Sequence, residues 1–208
     1  MKTYYSTLLF LLVGLIIHVP LYGQTVLETA ATDENFIVET WWIKPFDNKY
    51  KLSLFSLNTA EYNYDSEESI FMSYSLLNYN LFKNWGPAVG TRLLPDRAVA
   101  LGGVQYSFYR EEFFVTANVT SEIKRSPDFE VFSIMQYRPK FSEKLKGFFQ
   151  GQFSFNFNAD THLFSFQQFR LGGDFGLIQT GIALNNFQFG NDWEYDLQPG
   201  LFFRLEFQ

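Results

Sequence analysis

The segment QGQFSFNFN, Gln150 to Asn158, decides the fold class. Gly151, Phe153, Phe155 and Phe157 fall on one parity; Gln150, Gln152, Ser154, Asn156 and Asn158 fall on the other. A strand turns successive side chains to opposite faces, so the segment reads as a wall with an apolar side and a wet side. The alternation returns at Ile178, Thr180, Ile182 and Leu184 against Gln179, Gly181, Ala183 and Asn185. It closes the chain with Leu201, Phe203, Leu205 and Phe207 against Arg204, Glu206 and Gln208. Noisier versions occur at Val104 to Tyr109 and at Val115 to Thr120.

Turn signals punctuate the chain between these segments. They lie at Pro45 to Lys49, Asn58 to Glu68, Lys83 to Gly86, Pro95 to Arg97 and Arg110 to Glu112. They continue at Lys124 to Asp128, Phe141 to Leu145, Asn158 to Thr161, Gly172 to Asp174 and Gly190 to Trp193. The ten breaks separate eleven candidate strands, the first near Phe36 to Lys44. A bacterial single-chain barrel has an even count. Gln24 to Ala31, followed by the turn-like Thr32 to Asn35, supplies a twelfth strand. The expected fold is therefore an all-β, antiparallel up-and-down transmembrane barrel of twelve strands, with ten as the alternative if one segment is split wrongly.

Composition agrees with a membrane barrel. Aromatic residues make up 20% of the chain, with 26 phenylalanines, while charged residues still reach 18%. One residue in two faces lipid in such a barrel, and the rest face a polar interior. A soluble β-sandwich is the rival fold, but an outward aromatic wall on it would aggregate. Lys2, the apolar run Leu8 to Ile17 and the small Gly23 read as a secretory signal peptide over residues 1–23, leaving a barrel over 24–208. The chain has no cysteine, which excludes a lipoprotein anchor and any disulfide framework. A net charge of −6 argues against nucleic acid as a partner.

Counting back from Gln208 assigns each turn to a side of the membrane. The outer connections are acidic, with Glu61, Asp65, Glu67 and Glu68 in one and Asp192, Glu194 and Asp196 around another. The periplasmic turns carry Lys44, Lys49, Lys83, Lys140, Lys144 and Lys146. Trp41, Trp42 and Trp85 are expected in an inner interfacial girdle and Trp193 in an outer one.

The last strand, Gln198 to Leu205, resembles the C-terminal β-signal of outer-membrane proteins: a polar residue, Gly200, then alternating apolar positions at Phe203, Leu205 and Phe207. The ending departs slightly, with Gln208 last and the aromatic penultimate. More widely, the chain resembles the small outer-membrane barrels of Bacteroidota-type bacteria. Gly102 to Ile123, Val131 to Gln152, Phe169 to Gly190 and the GLFFRLEF ending carry the likeness. The resemblance implies a porin-like fold in the outer membrane of a Gram-negative bacterium. It also implies contact with that membrane's lipid and lipopolysaccharide, and handling by the barrel assembly machinery during insertion. It implies no substrate.

Four arginines, Arg92, Arg138, Arg170 and Arg204, lie within strands. Facing hydrocarbon, each would cost about 2–4 kcal/mol at the midplane, so they are expected to face the lumen. Glu206 shares the parity of Arg204, and Glu130 that of Arg138. With Gln150, Gln152, Asn156, Gln179 and Asn185 they are the candidate lumen lining. They read either as a charged ring that selects ions or as an ion-paired plug. The bulky Phe132 and Phe202 on the same face favour the plug. On the lipid side, Leu205→Arg is expected to block assembly, and Arg204→Leu to hurt less.

His162, in NADTHLFS, is the one histidine beyond the signal peptide, with Asp160, Ser154 and Ser165 near it in sequence. It would centre a lipid-directed barrel enzyme, but it reads more simply as a loop residue, and no catalytic set is expected. No metal site and no cofactor are expected either. The functional reading is a narrow passive pore for small polar solutes or a structural barrel. The alternatives are the His162-centred hydrolase and a non-conducting subunit or adhesin that binds through its acidic outer loops. The connections are short, which favours the first reading.

Overall fold

The computed structural model describes residues 23–47, 51–143 and 145–207. The proposed signal peptide up to residue 22, Lys49, Lys144 and Gln208 lie outside them. Twelve strands follow in chain order: β1 Gln24–Thr32, β2 Asn35–Pro45, β3 Leu52–Asn63, β4 Ser69–Tyr79, β5 Trp85–Leu93 and β6 Ala98–Arg110. The second half holds β7 Phe113–Glu122, β8 Phe129–Tyr137, β9 Lys146–Phe157, β10 His162–Asp174, β11 Ile178–Phe189 and β12 Glu194–Phe207. Each pairs with its sequence neighbours, and β1 pairs with β12, so the sheet closes into a barrel. Closure gives every strand a partner on both sides and leaves no open edge, the condition for a β-structure in hydrocarbon.

Twelve is the expected count, and Gln24 to Thr32 is the strand that makes it even. Thr25 opposes Phe207 across the closing pair, so both ends of the barrel chain emerge at one rim, called here the inner rim. The β1–β2, β3–β4, β5–β6, β7–β8, β9–β10 and β11–β12 connections lie at the outer rim.

Several sequence expectations need correction. Gly172 and Gly173 are not a turn; they continue β10, opposite Gly181 and Thr180, and the chain turns at residues 175–177. A side chain at Gly172 would collide with the Thr180 carbonyl, so glycine here serves close strand approach rather than reversal. Asn58 to Asn63 likewise belong to β3, in register with Thr40 to Asn35. Trp41 is not in a girdle. Adjacent residues face opposite ways, so Trp42 points outward while Trp41 is wholly buried in the interior.

The outside of the barrel is apolar: Leu201, Ile182, Val89, Val104, Phe169 and Val119 are all exposed. Trp85, half exposed, packs against Tyr106 at the inner end of β5 and β6. The inside is filled. Trp41, Phe55, Leu57, Tyr74, Leu76, Leu101, Phe114, Phe132 and Ile134 form one buried cluster, and Ile37, Phe148 and Phe202 belong to a second.

Candidate functional site

All ten residues singled out as candidate lumen lining lie on inward parity, and the structure sorts the charged ones into three groups at different levels of the barrel. Deepest is Glu28, on β1. Arg170 Nε donates to its Oε1 at 2.7 Å, and Arg204 donates to its Oε2 through Nε at 2.8 Å and through Nη2 as well. Arg204 Nη1 reaches Gln150 Oε1 at 2.7 Å, and Arg170 Nη1 reaches Asn185 Oδ1 at 2.8 Å. The Arg204 guanidinium also lies 4.7 Å above the Phe148 ring. Gln152 donates to Glu39 Oε2 at 3.2 Å beside this group.

Towards the inner rim, Arg138 holds Glu206 with two hydrogen bonds and Gln136 Oε1 with a third at 2.7 Å. Asp174 stands 3.9 Å from the same guanidinium and accepts from Gln179 at 3.3 Å. Towards the outer rim, Arg92 bonds Glu122 at 3.1 Å, Glu130 at 3.3 Å and Asn156 at 2.9 Å. Glu206, which shares the parity of Arg204, is thus bonded to Arg138, and Glu130, which shares that of Arg138, is bonded to Arg92. Parity tells which face a side chain takes; it carries no information about which strands meet across a lumen.

Sequence reading missed Glu28, Glu39 and Glu122. Their signal was available: each is a carboxylate on the inward parity of its strand, where an unpaired charge would be costly. On the last strand, Phe203 and Phe207 face outward, and Gly200 faces the closing strand, where a side chain would strike the Ala31 carbonyl.

A cavity of about 110 Å³ opens at the inner rim between Gln24, Arg110, Glu112, Phe114, Gln136 and Arg138. It ends against Phe114, a member of the apolar plug. At the outer rim, Asp33, Glu34, Asp65 and Asp196 converge. The Asp196 carboxylate raises the Glu34 carboxyl above its ordinary range, with smaller contributions from burial, Asp33 and Asp65.

His162 is not a loop residue. It opens β10, is largely buried, and stacks on Trp193 with ring centroids 3.9 Å apart. Its Nε2 lies 2.6 Å from Ser165 Oγ, and its Nδ1 lies 2.7 Å from the Gly190 carbonyl oxygen. Of the neighbours considered from sequence, Ser165 is thus brought to it; Ser154 instead faces the lumen and donates to Glu130 at 2.7 Å.

No protein-family model matches the chain. No curated protein matches it either. Solved structures do. A KdgM porin in complex with disordered oligogalacturonate aligns over 89% of this chain and 99% of its own, with a TM-score of 0.52 at 8% identity. LpxR from Salmonella typhimurium aligns over 88% and 99%, with a TM-score of 0.44 at 7% identity. OmpT, an outer membrane protein of Vibrio cholerae in its trimer form, aligns over 89% and 98%, with a TM-score of 0.38 at 6% identity. The likeness to the porin is one of fold, a closed antiparallel β-barrel.

Proposed function

We propose that this protein is a closed barrel of the outer membrane that does not conduct, so that its function resides on its rims and outer wall. The carrying observation is the plug. Trp41, Phe55, Phe132, Phe148 and Phe202 are all fully or nearly fully buried inside the ring. They come from strands on both sides of it: Phe55 packs on Phe132 at 5.8 Å, and Phe148 on Phe202 at 5.6 Å. Rings that touch across a lumen obstruct a water path, and a small barrel fills its interior with side chains in this way. The arginines support the same reading. Each is tied to at least one carboxylate, so they are cross-links rather than a free charged ring that would attract permeating ions.

The test is a planar-bilayer recording of the refolded chain from Gln24 onward. The expected result is no resolved single-channel steps, and none in Arg138→Ala, because the apolar plug lies beyond that mouth. Steady ohmic steps in the unaltered protein would overturn the closed reading in favour of a narrow pore.

A further inference from the structure

Among the described residues, polar side chains interrupt the lipid-facing wall in more than one place. Thr40, Asn58 and Ser73 on β2 to β4 form one such break, and they satisfy one another: Asn58 donates to Thr40 at 3.3 Å, and Ser73 donates to Asn58 at 2.7 Å. That break holds no titratable group. A second lies at the outer ends of β10 and β11 and contains His162, Ser165, Gln167, Asn186 and Gln188. Their outward direction follows from register. His162 opposes Phe157, Ser165 opposes Phe155 and Gln188, and Gln167 opposes Phe153 and Asn186.

A β-bulge builds this second break. Positions three apart on a regular strand face opposite ways. The ladder between β9 and β10 slips between His162 and Phe164, and the slip brings His162 and Ser165 onto one face. The polarity of the pair is then settled by its partners. A carbonyl oxygen only accepts, so the 2.7 Å contact to Gly190 places the imidazole proton on Nδ1. In the neutral imidazole Nε2 then keeps its lone pair, and Ser165 Oγ–H donates to it at 2.6 Å. A serine hydroxyl held on the basic nitrogen of an imidazole whose other nitrogen is oriented by an acceptor is the arrangement that activates an oxygen nucleophile.

Depth selects the substrate class. Ser165 lies three residues from the outer end of β10, roughly 10 Å along the strand and less along the membrane normal once the strand is tilted. With the outer strand ends at the headgroups, that depth would bring Ser165 to the level of the acyl ester carbonyls of lipids. Trp193 marks the same level, as interfacial tryptophans do. We propose that Ser165 and His162 are a nucleophile and general base that hydrolyse acyl esters of lipids in the leaflet at the outer rim.

The step balances with water as the co-reactant. Ser165 Oγ attacks the ester carbonyl carbon while His162 Nε2 takes the hydroxyl proton. The carbon–oxygen bond to the lipid alcohol then breaks, and Nε2–H protonates the departing oxygen, leaving the acyl group on Oγ. A water molecule attacks that ester, gives its proton to Nε2, and Oγ leaves with the same proton, releasing a fatty acid. Gln188 stands directly across from Ser165, and its Oε1 accepts from Gln167 at 3.0 Å. Its amide donors are the groups assigned to the developing oxyanion. Gly190 offers a neutral carbonyl where a carboxylate would better stabilise the imidazolium, so turnover is slow. Ser165 is fully buried beneath this surface, and Trp193 covers the imidazole. Trp193 is held at a φ of 54°, a left-handed conformation for a bulky residue, and is the residue whose displacement would open the imidazole to an ester.

The inference rests on the placement of the barrel in the membrane but not on the closure of its lumen, so a conducting channel would leave it intact. The test uses the refolded chain in mixed micelles with phosphatidylethanolamine and a long-chain alkyl fluorophosphonate, with folding read separately from gel mobility without heating. One phosphonyl adduct is expected, mapped by mass spectrometry to Ser165, together with release of fatty acid. Ser165→Ala should remove the adduct. His162→Gln, which keeps a donor for the Gly190 carbonyl but supplies no base, should slow adduct formation by about 10²-fold or more. Trp193→Ala should speed it. No adduct at Ser165 in either the unaltered protein or Trp193→Ala, with both folded, would overturn the proposal. So would an adduct formed at an undiminished rate in His162→Gln. Turnover of a water-soluble short-chain ester without any of the phospholipid would overturn the lipid assignment.

Discussion

Glu28→Ala is expected to lower the unfolding free energy of the barrel by about 3–5 kcal/mol, or to prevent its recovery. Glu28 supplies both carboxylate oxygens to two guanidinium groups that reach it from β10 and β12. Arg170 and Arg204 are themselves almost wholly buried. Removing the carboxylate leaves two positive charges in a lumen packed with Trp41, Phe148 and Phe202, and their remaining acceptors are neutral amides. Breaking a buried pair from one side costs far more than replacing the whole group by apolar residues, because the uncompensated charge stays behind. The triple variant Glu28→Leu, Arg170→Met, Arg204→Met should therefore recover much of the loss. Urea titrations followed by unheated gel mobility measure both. A loss below about 1 kcal/mol in Glu28→Ala would mean that the neighbouring Glu39 takes over the arginines, making Glu28 one of two interchangeable acceptors.

The second large effect reverses an order that sequence parity suggests. Parity alone makes Leu205→Arg the damaging change on β12 and Arg204→Leu the mild one. In the folded barrel, Leu205 stands opposite Leu27 and Ile178, two residues from the end of β12 at the inner rim. An arginine on the lipid face costs about 2–4 kcal/mol at the midplane but only about 0–1 near an interface. Leu201, midway along β12 and strongly exposed, is the position where the full penalty applies. Arg204→Leu meanwhile strips Glu28 of one of its two partners and Gln150 of a donor. The expected ranking of stability loss is Arg204→Leu at about 3–5 kcal/mol, then Leu201→Arg, then Leu205→Arg. The same urea series decides it. Were Leu205→Arg the most harmful at the level of assembly yet harmless once refolded in vitro, the result would point to a role for this strand in insertion rather than in stability.

Much of this architecture is legible along the chain because strand geometry is local. The alternation in Gln150 to Asn158 identifies its two faces without reference to any other strand, since successive side chains must diverge. The even count follows from one rule about where chain ends emerge, which is why Gln24 to Thr32 is recognisable as a strand despite its modest apolar pattern. Failures occurred where a residue type has two structural uses. Gly172 and Gly173 carry the composition of a turn, yet they continue β10, and Gly172 sits where the neighbouring backbone approaches too closely for a side chain. Trp41 and Trp42 are chemically alike, yet one fills the lumen and the other faces outward, because neighbours on a strand cannot share a face.

The sequence by itself therefore determined an antiparallel β-barrel whose strands have an apolar and a wet face, and favoured twelve strands over ten; each depends on periodicity or on the rule for where chain ends emerge. Only the tertiary structure decided which carboxylate meets which arginine. Glu28 is 142 residues from Arg170 and 176 from Arg204, and their meeting depends on the ring closing between β1 and β12. The His162–Ser165 contact was hidden for the opposite reason. The two are close in sequence, but on a regular strand they face apart, and a single bulged residue turns them together. Register slips of one residue leave no periodic trace, whereas their effect on which atoms meet is complete.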